Sequence, residues 1–85
     1  MKKLRKWNRH KRQYQDYFIP DEWNVKTYST NMQEVINCAQ CGKEITFGES
    51  ITSHEIHTEM GFGYSVCREC NGKEIERLRE ERKND

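Results

Sequence analysis

The chain has 85 residues, of which 33% are hydrophobic and 34% are charged, and its formal net charge is +1. A chain this short and polar cannot bury a large apolar core, so its composition excludes a fold that depends on hydrophobic packing alone. The basic N-terminal segment is not followed by an apolar stretch of the kind found in a signal peptide or a membrane span, so we expect a cytoplasmic protein without membrane partners.

Positive charge is concentrated in the N-terminal part of the chain. Residues 1–15 carry seven Lys or Arg and no acidic residue, whereas the remaining 70 residues carry eight bases and fourteen acids. The first segment should therefore attract polyanions, and the rest of the chain should weakly repel them.

Residues 1–19 are predicted to form a basic aromatic arm, separate from a zinc-finger domain over residues 20–85. Their large apolar residues are spaced as on one face of a helix that ends before Pro20. If the arm lies on nucleic acid, Trp7 and Tyr14 are the candidate stacking groups. The candidate phosphate contacts are Lys2, Lys3, Arg5, Lys6, Arg9, Lys11 and Arg12. The alternative is an aromatic face packed on the zinc domain or on a protein partner.

The segment between Pro20 and the first cysteine has β-branched and aromatic residues that predict a short strand over residues 23–30. Val35 and Ile36 fit either a helical turn or a strand, and the pattern does not decide between them. Trp23 and Tyr28 are interpreted as core or interface residues.

Four cysteines form two Cys-x-x-Cys pairs, Cys38 with Cys41 and Cys67 with Cys70, separated by 25 residues. Two such turns supply the four thiolates that Zn²⁺ prefers in a structural site. In a reducing compartment this spacing favours zinc over disulfides. We predict one structural Zn²⁺ held by all four thiolates, which leaves no open position for a small-molecule substrate.

The stretch between the pairs predicts a β-hairpin, with a long alternating strand over residues 51–58 and a second strand over residues 64–66. His54 and His57 are three apart, so in a regular strand they face opposite sides of the sheet and do not match the helical zinc-protease motif. We expect both to be solvent-facing or hydrogen-bonded strand residues. After Cys70 the charge pattern predicts a polar helix, with Ile75 and Leu78 as its apolar contact face.

A cysteine knuckle, a hairpin and a second cysteine pair that opens a helix resemble the treble-clef class of four-cysteine zinc fingers. Residues 38–45, with the second pair and the charged helix, are also similar to the DksA/TraR-type bacterial finger. The resemblance implies a zinc-stabilised α+β fold and a transcription-related partner. A zinc ribbon is the rival architecture, but it normally continues as a strand after its second pair.

The leading hypothesis is a non-enzymatic, zinc-stabilised protein whose basic arm contacts nucleic acid or a nucleic-acid-processing complex. The competing hypothesis is a protein-interaction adaptor, in which Trp7, Tyr17, Phe18 and Trp23 fill a partner's groove. Two minor alternatives remain, a redox-sensitive zinc switch and a His-Asn-His-type nuclease that uses Asn71 beside the histidines.

Overall fold

A computed structural model of the chain describes the backbone of residues 1–83 and the side chains through Glu80. Within residues 1–83, six strands and one helix follow one another. The strands are β1 (Lys2–Asn8), β2 (Gln13–Ile19), β3 (Val35–Asn37), β4 (Glu44–Thr46), β5 (Ile51–His57) and β6 (Gly63–Val66), and the helix is α1 (Arg68–Lys83). A short 3₁₀ turn over Phe47–Glu49 joins β4 to β5.

The predicted N-terminal helix is wrong, because residues 2–19 form an antiparallel hairpin of β1 and β2. Asn8 starts the turn: its side-chain oxygen accepts hydrogen bonds from the backbone N–H groups of His10 and Lys11. Arg12 closes the turn in the left-handed region, with a φ of 52°. An Asx-type turn thus closes this hairpin, in place of the glycine or proline that marks many hairpin turns in a sequence.

The hairpin belongs to the same sheet as the strands between the cysteine pairs. Four strands lie in the order β2-β1-β5-β6, and β1 meets β5 where Arg5 pairs with His57. Sheet pairing therefore crosses the predicted division at residue 20. β3 and β4 form a separate two-stranded sheet, so Val35 and Ile36 belong to a strand.

Alternation of side chains across the sheet defines an inner and an outer face. Leu4, Ile19 and Ile56 point to the inner face and are buried in one cluster with Val66 and three of the cysteines. We call the opposite side of β1, β2 and β5 the outer face. It carries Lys3, Arg5, Trp7, Tyr14, Asp16, Phe18 and His57.

The predicted strands over residues 51–58 and 64–66 are confirmed as β5 and β6. Residues 23–30, however, form no strand. Their backbone makes isolated contacts on two sides, with Asn37 N–H bonded to the Asn24 carbonyl at 2.9 Å and Ser65 N–H bonded to the Lys26 carbonyl at 2.8 Å. This segment therefore bridges the two sheets without joining either ladder.

A large bulge interrupts β5. Thr52 pairs with Ser65 and His57 with Gly63, so the four residues 53–56 face Tyr64 alone on β6. The Ser53 hydroxyl accepts hydrogen bonds from the N–H groups of Glu55 and Ile56 at 3.1 and 2.9 Å. Gly63 is required opposite the bulge, because a Cβ there would lie 2.5 Å from the Ser53 carbonyl oxygen. The bulge is thus stabilised by hydrogen bonds to the Ser53 hydroxyl within β5 and by the absence of a side chain at Gly63 on β6.

Helix α1 docks on this bulge through polar groups. Glu74 is 1% exposed, accepts a hydrogen bond from the Ser53 hydroxyl at 2.6 Å, and accepts another from the His54 N–H at 3.1 Å. The predicted apolar contact face is wrong in part, because Ile75 is 38% exposed. The helix is held by a buried carboxylate where the sequence pattern offered only two apolar residues.

Candidate metal centre and outer sheet face

The four cysteines come together from two elements. Cys38 and Cys41 lie in the turn between β3 and β4, while Cys67 follows β6 and Cys70 lies in the first turn of α1. Their four sulfur atoms lie within 4.8 Å of one another, and Cys41 alone among them is exposed. Among the side chains described, those of residues 1–80, this is the one group of Cys, His or acidic residues placed to hold a metal ion.

The sulfur geometry fits a tetrahedral metal site. The Cys41 and Cys67 sulfurs are 3.8 Å apart. This is about the sulfur–sulfur edge of a tetrahedron with metal–sulfur bonds of about 2.3 Å, and far longer than a disulfide bond of about 2.05 Å. Four soft sulfur donors at this spacing suit zinc, and the sequence prediction that the four cysteines form one metal site is confirmed to that extent.

The first cysteine turn is built to present sulfur to a metal. The backbone N–H groups of Gln40 and Cys41 point to the Cys38 sulfur at 3.4 and 3.5 Å. Gly42 has a φ of 81°, and a Cβ there would come within 2.3 Å of the Trp23 ring. Trp23 therefore packs over the turn, and only glycine fits beneath it.

The second pair gains support from its helix. Cys70 lies in the first turn of α1, where the unpaired N–H groups and the helix dipole favour negative charge. Burial raises the pKa of the Cys70 thiol, and the neighbouring cysteine sulfurs raise it further. A metal cation at the centre of the cluster would reverse this balance and stabilise the thiolates.

The N-terminal hairpin reaches the metal centre through Tyr17. The Tyr17 hydroxyl lies 2.9 Å from the Ala39 carbonyl oxygen and 3.1 Å from that of Gln40, both within the first cysteine turn. Tyr17 and Trp23 are partly buried against the core of the protein. This agrees with the alternative in which the arm packs on the zinc domain and with the interpretation of Trp23 as a core residue, and it disfavours a role for these two residues in filling a partner's groove.

Some of the predicted phosphate contacts are instead bases whose side chains contact other parts of the protein, and the others are exposed without such a contact. Lys2 donates to the Trp23 carbonyl at 2.7 Å, Arg5 donates to the Thr58 carbonyl at 3.0 Å, and Lys6 lies over the Tyr17 ring. Arg9 donates to the buried carboxylate of Glu55 at 3.2 Å. Lys2 is exposed as well, and Lys3, Lys11 and Arg12 are exposed without a side-chain hydrogen bond, ion pair or ring contact among residues 1–80.

Glu55 joins the hairpin to the helix. Its side chain is 4% exposed and lies between Arg9 of the hairpin and Arg77 of α1. Burial alone would raise the pKa of Glu55, but the hydrogen bonds and charges of Arg77 and Arg9 outweigh burial and hold this pKa below its usual value. The carboxylate therefore stays ionised inside the protein. No signal in the sequence marks this pairing, since the three residues lie far apart along the chain.

The stacking candidates Trp7 and Tyr14 lie side by side on the outer face. Their ring centroids are 5.1 Å apart at an interplanar angle of 75°. Arg5 covers the Tyr14 ring at 4.0 Å, and the Tyr14 hydroxyl is hydrogen-bonded to Nδ1 of His57 at 3.0 Å. The predicted pair of aromatic residues is thus part of a larger cluster of rings and cations.

The prediction that His54 and His57 face opposite sides is wrong. Both line one shallow depression on the outer face. The cause is the bulge in β5, which adds residues between the two ladder pairs and so breaks the alternation that the spacing assumed. A bulge closed by a serine hydroxyl has no clear sequence signature, so periodicity could not reveal it.

No family model, curated protein or solved structure matches this chain. Within residues 1–83, no helix is long and apolar enough to cross a membrane. The interpretation of function therefore depends on the metal centre and the outer face themselves.

Proposed function

We propose that this chain is a non-enzymatic binding protein in which one structural Zn²⁺ fixes a treble-clef-like core. The order of a cysteine turn between two short strands, a hairpin and a helix whose first turn holds the second pair supports that class over a zinc ribbon. Four protein ligands would fill the coordination sphere of zinc, so the metal would stabilise the fold and take no part in a reaction.

The basic hairpin is the proposed contact with nucleic acid or with a nucleic-acid-processing complex. The observation that carries this proposal is the position of the hairpin's exposed side chains: Lys3 is exposed on the outer face, and Lys11 and Arg12 are exposed at the turn. Residues 1–19 hold seven bases and one acid, so the local field attracts phosphate although the net charge of the chain is only +1.

The test is fluorescence anisotropy of labelled DNA and RNA oligonucleotides with the zinc-loaded protein over a salt series. The triple variant K3Q/K11Q/R12Q should bind more weakly, and the slope of log affinity against log salt should fall by about two to three units. These three side chains make no contact that the fold needs, so the thermal stability should be nearly unchanged.

The matched control is R68Q/K73Q/R79Q, which removes the same charge from exposed positions on α1. If the control weakens binding as much as the hairpin variant, attraction is a property of total charge and the hairpin is not the contact. Absence of binding at low salt by the unmodified protein would refute a direct contact with nucleic acid.

The adaptor hypothesis keeps one supporting observation. Tyr28, Met32 and Val35 are 72%, 59% and 57% exposed near the β3–β4 sheet, on a different part of the protein from the hairpin turn. Exposed large apolar side chains in one region are typical of a surface that binds another protein. Capture of a partner that is lost in Y28A/M32A but kept in K3Q/K11Q/R12Q would favour this second function.

A further inference from the structure

The depression that holds both histidines lies where the hairpin, β5 and α1 meet. It has a volume of about 420 Å³ and is lined by Trp7, Arg9, Tyr14, His54, His57 and Leu78. The depression is shallow and open to solvent, so it can contact one face and one edge of a ligand without enclosing it. Its lining combines aromatic rings with polar nitrogen atoms, which suits a flat heteroaromatic group.

The rings in the depression are set nearly at right angles. Tyr14 makes edge-to-face contacts with Trp7 at 75° and with His57 at 77°. A planar group that stacks on one of these rings therefore meets the others along its edge, where ring nitrogens can make hydrogen bonds. Burial and the charges of Arg5 and His54 lower the pKa of His57, so its imidazole is neutral at pH 7.

A second, larger groove continues from this depression. It has a volume of about 740 Å³ and shares Trp7 and Arg9 with the depression. Lys6, Arg12 and Arg77 add three further cations along it. The four cations of the groove, Arg9 included, outnumber its two carboxylates, Glu55 and Glu80, so the groove keeps a positive charge that attracts phosphate groups.

We propose that the depression and the groove beside it bind single-stranded nucleic acid, with one unstacked base in the depression and the neighbouring phosphates along the groove. This inference rests on the proposed function and names the class of nucleic acid. A duplex keeps its bases paired and stacked, so it cannot place a base against Tyr14 without first extruding it. Single strands present their bases at no such cost.

The test of this proposal compares the affinity of the protein for three probes, each as DNA and as RNA, at one salt concentration. The probes are a short single strand, the duplex of the same sequence, and a single strand with abasic sites. The single strand should bind at least roughly tenfold more tightly than the other two. Equal affinity for all three would overturn the base-binding depression while the proposed function stands. No binding of any probe would overturn both.

Variants of Tyr14 test whether the depression is the part of the protein that binds the base. Tyr14→Leu should weaken binding of the normal single strand roughly 5- to 100-fold and leave binding of the abasic strand unchanged. Tyr14→Phe keeps the ring and should keep most of the affinity, which covers the case in which Tyr14→Leu does not fold. Phe18→Leu is the matched control, because Phe18 lies on the same face of the same strand outside the depression and is 52% exposed. Equal loss in Phe18→Leu and Tyr14→Leu would overturn the assignment.

Discussion

The hydroxyl of Tyr17 hydrogen-bonds the carbonyl oxygen of Ala39 across 2.9 Å, which ties the N-terminal hairpin to the turn that presents Cys38 and Cys41. The residues are 22 positions apart, and the bond joins the four-stranded sheet to the turn between β3 and β4. Through it, the part of the chain proposed to bind nucleic acid is coupled to the metal centre.

Removing this bond should lower stability without changing the core. Tyr17→Phe leaves two carbonyl oxygens without their shared hydroxyl donor, and should reduce the free energy of unfolding by about 1 kcal/mol. For a domain of this size, thermal unfolding should shift by about 4–8 °C. Tyr28→Phe, at a ring that is 72% exposed, is the control and should leave the transition in place. Identical shifts in the two variants would contradict the coupling.

Metal removal should unfold the core. Four-cysteine zinc sites contribute about 10–16 kcal/mol of apparent binding free energy in finger peptides, which exceeds what this small apolar cluster can supply. We expect a strong chelator, or the variant Cys70→Ser, to abolish the cooperative transition seen by circular dichroism and the dispersion of amide signals in NMR spectra. Added zinc should restore both in the chelated protein but not in the variant. A native spectrum without metal would show that the core does not need it.

The buried carboxylate of Glu55 should matter more than surface acids. Glu55→Gln removes the charge shared by Arg9 and Arg77 and should lower the free energy of unfolding by about 2 kcal/mol. This loss is smaller than for a fully buried ion pair because the Arg77 side chain is 43% exposed. Glu44→Gln, at an exposed position on β4, should change stability by less than about 0.5 kcal/mol. The coupling between Glu55 and Arg77 is measured by denaturant unfolding of Glu55→Gln, of Arg77→Gln and of the double variant. If the losses in free energy of unfolding of the two single variants add up to that of the double variant, the pairing is refuted.

His57 should make stability depend on pH. Burial, then the nearby positive charges of Arg5 and His54, lower the pKa of His57 below its ordinary value of 6.5. Between the lowered folded pKa and 6.5 the unfolded chain binds the proton more readily, so stability falls as pH drops through this window. NMR titration of the His57 ring should give a pKa below 6.5, and His57→Gln should flatten the pH dependence. A measured pKa of 6.5 or above would contradict the prediction.

The metal centre could be predicted from sequence because its information is local. Each Cys-x-x-Cys pair is one turn, and a hairpin between the pairs suffices to bring them together. The same applies to β5, β6 and α1, whose alternation and charge pattern lie within single segments. These parts of the fold needed no knowledge of distant contacts.

The hairpin was missed because its apolar spacing is ambiguous. Aromatic residues at positions 7, 14, 17 and 18 fit a helical face, but in the structure Tyr17 lies on the inner face and Trp7 and Tyr14 on the outer face. The buried pairings of Glu55 and Glu74 were missed for a different reason. Both depend on partners 20 or more residues away, which periodicity within one segment cannot identify.

The pairing of β1 with β5 also sets an order of events during synthesis. Arg5 and the Thr58 carbonyl that it contacts are 53 positions apart, so the hairpin leaves the ribosome well before the strand on which it docks. Until β5 and the segments after it follow, Leu4 and Ile19 lack Ile56, Val66 and the second cysteine pair, which belong to the same buried cluster. Docking of the hairpin is therefore a late, long-range step in folding, and the nascent chain exposes this apolar pair to chaperones and to other copies of itself in the interval.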